Sequence, residues 1–403
     1  MKFSKLIIFL QIALISVGNA QAGEIEDELS SIKARLQRLE QLVEKQSETI
    51  SQQNLAIYQK SKQIEALVEN PRIRKIANDE DVWFNNIEIG GVAEVETAYS
   101  NPDSGQSNSD VVLATAELGV SAQVNDWVSA ETVLLFEEND TDLEVDVAVV
   151  TFAHPNKPWF ISSGLLYQPF GSFDTNLISD PLTLEIAETR ETSILGGIEY
   201  KGISAGIYAF NGELSKDGDD HIDNFGAFAG YAQENDNSSY AINFGYINDI
   251  GDSDTLQDII QNNIDAASVE YKDYVAGFSV DGSFTYGPFN VIAEYIMAMD
   301  DFNFNELAFK NAGAEPKAFN LEVGYSFNVA GMPMTAALAY QGTDEAVALS
   351  LPEERIVGGL WAEIFDRTAL SFEWAHDKDY SDSDGGTDEF GGNTITSQLA
   401  IEF

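Results

Sequence analysis

From residue 86 to the C-terminus, apolar and polar residues alternate with a period of two, as in strands that present one face to an apolar phase. In the first run Ile87, Ile89, Gly91, Ala93, Val95, Thr97 and Tyr99 share one parity, and Glu88, Glu94 and Glu96 share the other. A later run sets Phe319, Leu321, Val323, Tyr325 and Phe327 against Asn320, Glu322, Gly324, Ser326 and Asn328. Runs of about ten residues fit strands crossing a bilayer at a tilt. The sequence supports about sixteen of them, starting near residues 86, 111, 127, 143, 158, 189, 203, 223, 239, 275, 288, 317, 333, 354, 368 and 393. Short turns such as Asn125-Asp126, Lys201-Gly202 and Ala330-Gly331 alternate with mostly longer polar loops. That asymmetry predicts short turns on the periplasmic side and long loops outside.

Ahead of the alternation the period changes to seven. One seam carries Leu29, Leu36, Val43, Ile50, Ile57 and Ile64, the other Ile25, Ile32, Leu39, Gln46, Gln53, Lys60 and Leu67. Six heptads without Gly or Pro before Pro71 predict a coiled coil, extending about 65 Å at 1.5 Å per residue. The polar Gln46, Gln53 and Lys60 layers favour one specific register, so a homo-oligomer joined through this stalk is expected. Before it, Lys2 and Lys5, the apolar stretch Leu6 to Val17 and Ala20-Gln21-Ala22 form the pattern of a cleaved export signal. The expected domains are a signal peptide at 1–22, a coiled-coil stalk at 23–70, a linker at 71–82 and a barrel at 83–403. The expected fold class is an all-β transmembrane barrel of about sixteen antiparallel strands, preceded by an α-helical coiled-coil segment. A closed barrel satisfies every backbone group in lipid without leaving an edge. The intended location is the cell outer membrane, with the stalk in the periplasm and outer-membrane lipid as a partner.

Composition then narrows the function. The 403 residues carry a formal charge of -46 and no Cys. Such a balance argues against nucleic acid as a partner, since phosphate binding depends on Lys and Arg. No cofactor is indicated. Three histidines, His154, His221 and His376, and the absence of a Cys nucleophile give no recognisable catalytic set, so the chain is not read as an enzyme.

If the apolar parity faces lipid, the other parity faces the lumen. It places Glu88, Glu94, Glu96, Glu117, Glu131, Glu294, Glu322, Glu363, Glu373 and Glu402 inward, with Arg355 the clearest basic exception. Rings of carboxylates favour cations, so a weak cation preference is expected. The inward parity reads as polar throughout, with no obvious apolar filling. The long third loop, Gln168 to Glu188, stands where general porins fold a loop into the pore, making Asp180, Glu185, Glu188 and the adjacent Arg190 candidate constriction residues. The outer segments Asp217–Asp223, Asn248–Asp258 and Asp377–Glu389 are acidic and read as solvated loops. Within the last, Asp379, Asp382, Asp384, Asp388 and Glu389 could offer oxygen ligands to a divalent cation, although their spacing fails the EF-hand pattern.

The stretch Gly164-Leu-Leu-Tyr-Gln-Pro-Phe-Gly171 resembles the strand-to-loop motif ending in Pro-Phe-Gly of phosphate-selective-type porins. It continues through Thr175-Asn-Leu-Ile-Ser-Asp-Pro-Leu-Thr-Leu-Glu185 and Glu188-Thr-Arg-Glu-Thr192. With the export signal, stalk and C-terminal barrel, the chain resembles the LbtU-type siderophore porin family. The resemblance is specific in residues 164–192 and architectural elsewhere. It implies an outer-membrane channel without a large plug, linked to uptake of a ferric siderophore, and porin analogy implies a trimer. The expected function is therefore a channel for small solutes, including a ferric siderophore. The alternative is a structural envelope tether, in which the barrel anchors a periplasmic coiled coil.

Overall fold

The computed structural model describes residues 86–216, 221–387 and 390–403. The export signal, stalk and linker lie outside the described residues, as do Asp388 and Glu389.

Sixteen antiparallel strands form one closed barrel. The first half comprises β1 (Ile87–Pro102), β2 (Asn108–Asn125), β3 (Val128–Phe136), β4 (Glu144–Ala153), β5 (Trp159–Tyr167), β6 (Arg190–Tyr200), β7 (Ile203–Phe210) and β8 (Asn224–Asn235). The second comprises β9 (Ser238–Ile247), β10 (Gly277–Tyr286), β11 (Phe289–Ala298), β14 (Lys317–Val329), β15 (Met332–Asp344), β16 (Glu354–Phe365), β17 (Thr368–Lys378) and β18 (Gly392–Glu402). Each strand begins within three residues of the position expected from the alternation. A two-stranded hairpin, β12 (Ala308–Phe309) with β13 (Ala312–Gly313), belongs to the loop between β11 and β14.

Strand order follows chain order, so each connection joins neighbours and the ends meet where β1 pairs with β18. One rim carries the tight turns. At Lys201-Gly202 and Ala330-Gly331 both residues have positive φ, the two-residue geometry whose twist matches that of the flanking strands. The other rim carries eight loops, called L1 to L8 in chain order. The seam is finished at Phe403: Gly91 N donates to Phe403 O, and Phe403 N to Gly91 O, each at 3.0 Å. Gly91 is required there, because a Cβ would sit 2.6 Å from the Phe403 ring.

The outward parity is the apolar one. Ile89, Ile207, Leu338 and Phe372 are each more than half exposed, an arrangement stable only against an apolar solvent. The inward parity, however, is not empty of apolar packing. L3 to L7 fold into and over the loop-side end of the lumen and build a buried cluster that includes Phe170, Leu182, Ile186, Leu214, Ile260, Phe302 and Leu349. The expectation of a lumen without apolar filling is thus corrected. The cluster joins loop side chains, which obey no strand alternation, to inward strand residues such as Leu195, Phe210, Ile247 and Ile296, which are apolar exceptions within the inward parity. Its largest contribution from L5 is a helix, α2 (Asp254–Ala267), which buries Leu256, Ile260 and Ile264 on one face. The acidic Asn248–Asp258 segment is therefore not a solvated loop: Asp249 and Asp252 are fully buried.

Candidate functional site

Strand register fixes which carboxylates share the lumen. Glu88 and Glu131 both face Ser121, and Glu94 lies opposite Thr115 on one side and Ala400 on the other. Glu363 joins the same inward row through Ala369 and Ala400. On β1, β2 and β3 the carboxylates of Glu88, Glu94, Glu96, Glu117 and Glu131 remain partly or fully exposed. Among the described residues none of these five forms an ion pair; Gln398 Nε2 donates to Glu96 at 2.9 Å and to Glu94 at 3.4 Å.

Across the lumen the same residue type does something else. Glu294 (β11), Glu322 (β14) and Glu373 (β17) are 5%, 0% and 5% exposed. They hold L3 against the wall instead of ringing an open pore. Glu294 Oε1 accepts Ser172 N at 2.7 Å, and its other oxygen accepts the Thr183 hydroxyl. Glu322 accepts Thr175 Oγ1 at 2.7 Å, Asn176 N at 2.9 Å and the Asn176 amide. Glu373 Oε2 accepts Ile178 N at 2.6 Å and Ser179 N at 3.1 Å. Gln341 of β15 adds an acceptor for Leu182 N at 3.2 Å. A loop buried at membrane depth must pair its backbone N–H groups, and charged acceptors make the stronger bonds. Three pore-lining assignments therefore become anchoring ones, because L3 covers those carboxylates. Inward-facing glycines make room for it: a Cβ on Gly359 would lie 2.6 Å from Leu177 of L3.

A short helix, α1 (Leu184–Ala187), ends L3 and is braced by L5. Ser253 Oγ donates to Ile186 O at 2.8 Å, Asp254 N to Glu188 O at 2.8 Å, and Thr255 Oγ1 to Glu185 at 3.3 Å. L3 presents Asp180 toward further acids. Desolvation within the crowded lumen pushes Asp180 up to about 6, with repulsion from Glu185, Glu137, Glu96 and Glu373 adding to it. Burial likewise pushes Glu188 up to about 7, helped by Asp254, Asp180 and Asp146 and opposed by Arg190. The lumen is therefore negative on both L3 and the β1–β3 wall.

The two candidate basic residues are already neutralised. Arg190 pairs with Glu144 at 2.6 Å and Asp146 at 3.0 Å. Arg355 makes a two-point pair with Asp377, at 2.7 and 3.0 Å. Of the possible cation ligands in L8, Asp379 accepts Tyr380 N and Thr387 N, and Asp384 pairs with Lys310. The described residues contain no group of three or more His, Cys, Asp or Glu side chains placed to hold a metal.

No family model matches the chain. A UPF0422 protein of Coxiella burnetii is 27% identical over 303 residues, covering 73% of this chain and 64% of the relative. A UPF0422 protein of Legionella pneumophila subsp. pneumophila is 27% identical over 319 residues, covering 73% and 59%. The chain thus spans less than two thirds of the length of these curated relatives. Among solved structures, the outer membrane channel DcaP of Acinetobacter baumannii superposes with a TM-score of 0.55 at 13% identity, covering 79% of this chain and 97% of that one. The anion-selective porin from Comamonas acidovorans gives 0.53 at 14% identity, covering 78% and 98%. The fold is that of the outer-membrane porins. OmpT of Vibrio cholerae in its trimer form is similar too, at 0.51 and 14% identity over 79% and 99%. A fold of this kind makes the lumen the site to explain.

Proposed function

We propose that the protein is an outer-membrane diffusion channel that passes small solutes with a preference for cations, along the conduit between L3 and the β1–β3 wall. One observation carries the reading: Glu88, Glu94, Glu96, Glu117 and Glu131 face the lumen without ion pairs, while L3 answers them with Asp180 and not with a basic side chain. A conduit of one sign raises the local concentration of counter-ions and excludes co-ions. The fold is shared with an anion-selective porin, so selectivity must come from these side chains and not from the barrel. The resemblance to LbtU-type porins adds ferric-siderophore uptake to the proposal; in an acidic conduit the cargo would be a neutral or cationic ferric chelate.

The heptads extend the proposal to a periplasmic stalk and a homo-oligomer. The outer wall supports assembly, being uneven. Mid-height outward positions of β2 to β7 are aliphatic or small, as at Val120, Thr132, Val150, Ser163, Gly196 and Ala205, with aromatics such as Phe136, Phe152, Trp159 and Tyr200 kept to the strand ends, whereas Tyr240, Phe244, Tyr295, Tyr325 and Phe372 crowd β9 to β17. Aromatic rings belong at a lipid boundary, leaving the smoother wall for a second copy, and a trimer matches the form of one fold relative. Reversal potentials of the refolded barrel in a KCl gradient test the function. The expected sign is that of an excess K+ permeability; an excess Cl− permeability, or a folded barrel that never conducts, would overturn it.

A further inference from the structure

Two carboxylates are buried side by side where L4 and L5 meet. Asp249 caps the 3₁₀ turn Ile250–Asp252 and Asp252 ends it, close enough for the two carboxylates to repel each other. Both are fully buried. Asp249 Oδ1 is saturated, accepting Tyr271 Oη at 2.8 Å, Gly251 N at 3.1 Å and Val275 N at 3.2 Å. Its Oδ2 is buried with no hydrogen-bond partner. Asp252 Oδ1 accepts Leu214 N at 3.0 Å, and its Oδ2 accepts the amide nitrogen of Asn224.

Asn224 adds an independent sign. It is 1% exposed and its Oδ1 is likewise buried without a partner. Amide oxygen and nitrogen exchange places by a half-turn, and the choice is made by the neighbours; the exchanged rotamer aims Oδ1 at Asp252. Gly212 lets the L4 backbone pack directly against the pair, since a Cβ would fall 2.0 Å from both Asp252 Oδ2 and Asn224 Nδ2. Beside it, Glu191, Asn211, Gly212 and Glu213 line a recess of about 800 Å³. Burial, with repulsion from Asp252, pushes Asp249 well above the usual carboxylate range, and burial pushes Asp252 up to about 6. A buried acid pair of this kind needs a compensating positive charge to stay ionised.

We propose that Asp249, Asp252 and Asn224 form a divalent-cation site of the Ca2+ class that ties L4 to L5. The free donors are all hard oxygens, which suit Ca2+ and not a transition metal. Three protein oxygens make a weak site, in the range of extracellular modules. The same turn runs into Ser253 and Asp254, whose bonds to Ile186 and Glu188 brace L3, so a bound ion stiffens the constriction from outside. The rival balance is a proton held between the two acids.

The test is hydrogen exchange at the Leu214 and Val275 amides of the full chain folded in detergent, in EDTA and then in Ca2+ on the order of 10 mM, well above a site of this class. Protection should rise about tenfold when the ion exceeds its Kd by that factor. Asp249→Asn and Asp252→Asn should bring that response below about twofold, within the noise of unlinked binding. Asn224→Asp should loosen the loops in EDTA and strengthen the Ca2+ response, so the proposal stays testable if a neutralised variant fails to fold. No Ca2+ response in the wild type, an equal response in the variants, or Asp249→Asn protecting the amides without Ca2+ would overturn it; the last outcome would assign the pair to a shared proton.

Discussion

Glutamates of β1 to β3 and those of β11, β14 and β17 share a residue type and an inward parity, yet they have opposite fates. The first set faces water in the lumen. The second is buried beneath L3 and accepts the backbone and hydroxyl donors of that loop. Alternation along a strand decides only whether a side chain points inward; what lies opposite decides whether its charge acts on a solute or on the protein. Charge on the open wall should govern selectivity, and charge on the covered wall should govern the bore.

The covered wall offers the largest effect. Glu322→Ala removes an acceptor of three bonds from Thr175 and Asn176 and should weaken L3 seating by about 3 kcal/mol. Single-channel records should show frequent closures and added current noise, with cation preference largely kept. A quiet, wild-type trace would mean that L3 is held by its apolar contacts alone. Next, Glu94→Gln, Glu96→Gln and Glu117→Gln together should lower the ratio of K+ to Cl− permeability, since a charge acting at about 6 Å through water with ~0.7 kcal/mol favours K+ about threefold and disfavours Cl− about threefold. Thermal stability should barely move. If melting shifts and selectivity does not, the two walls have been assigned the wrong way round.

Acidification probes both walls at once. Asp180 and Glu188, pushed up to about 6 and about 7, gain protons as pH falls from 8 to 5, so cation preference should decline over that window. Their folded-state values exceed the ordinary carboxylate values, so the native state binds more protons than the unfolded one between them. Stability contributed by L3 should therefore rise on acidification from 8 to 5, not fall. Reversal potentials and thermal melts across that range check the two signs. The smallest effect belongs to Arg190→Gln. Its partly exposed pair with Glu144 and Asp146 is worth about 1 kcal/mol or less, and its loss should slightly increase cation preference.

Much of this wall could be read from residues alone, because strand alternation is a local property set by lipid on one side. Even the start of β14 at Lys317 and of β17 at Thr368 was legible. The strand β2 begins earlier than the apolar run, at Asn108, since pairing with β1 continues above the apolar band. The constriction was legible as a position and not as a contact set. Nothing local distinguishes Glu322, under L3, from Glu94, in water. The helix α2 carried a readable stripe in Leu256, Ile260 and Ile264, but Asp254 and Asp258 within it gave the segment the look of a solvated loop.

The bonds between Gly91 and Phe403 reach across almost the whole described chain. The first strand leaves synthesis with one edge unmatched, and that edge is covered only when β18 pairs with it. Ordering so distant a pair is slow, and an open edge meanwhile invites pairing with other chains. Loss of this closing strand pairing would thus be felt first in the yield of closed barrels, before any property of the pore.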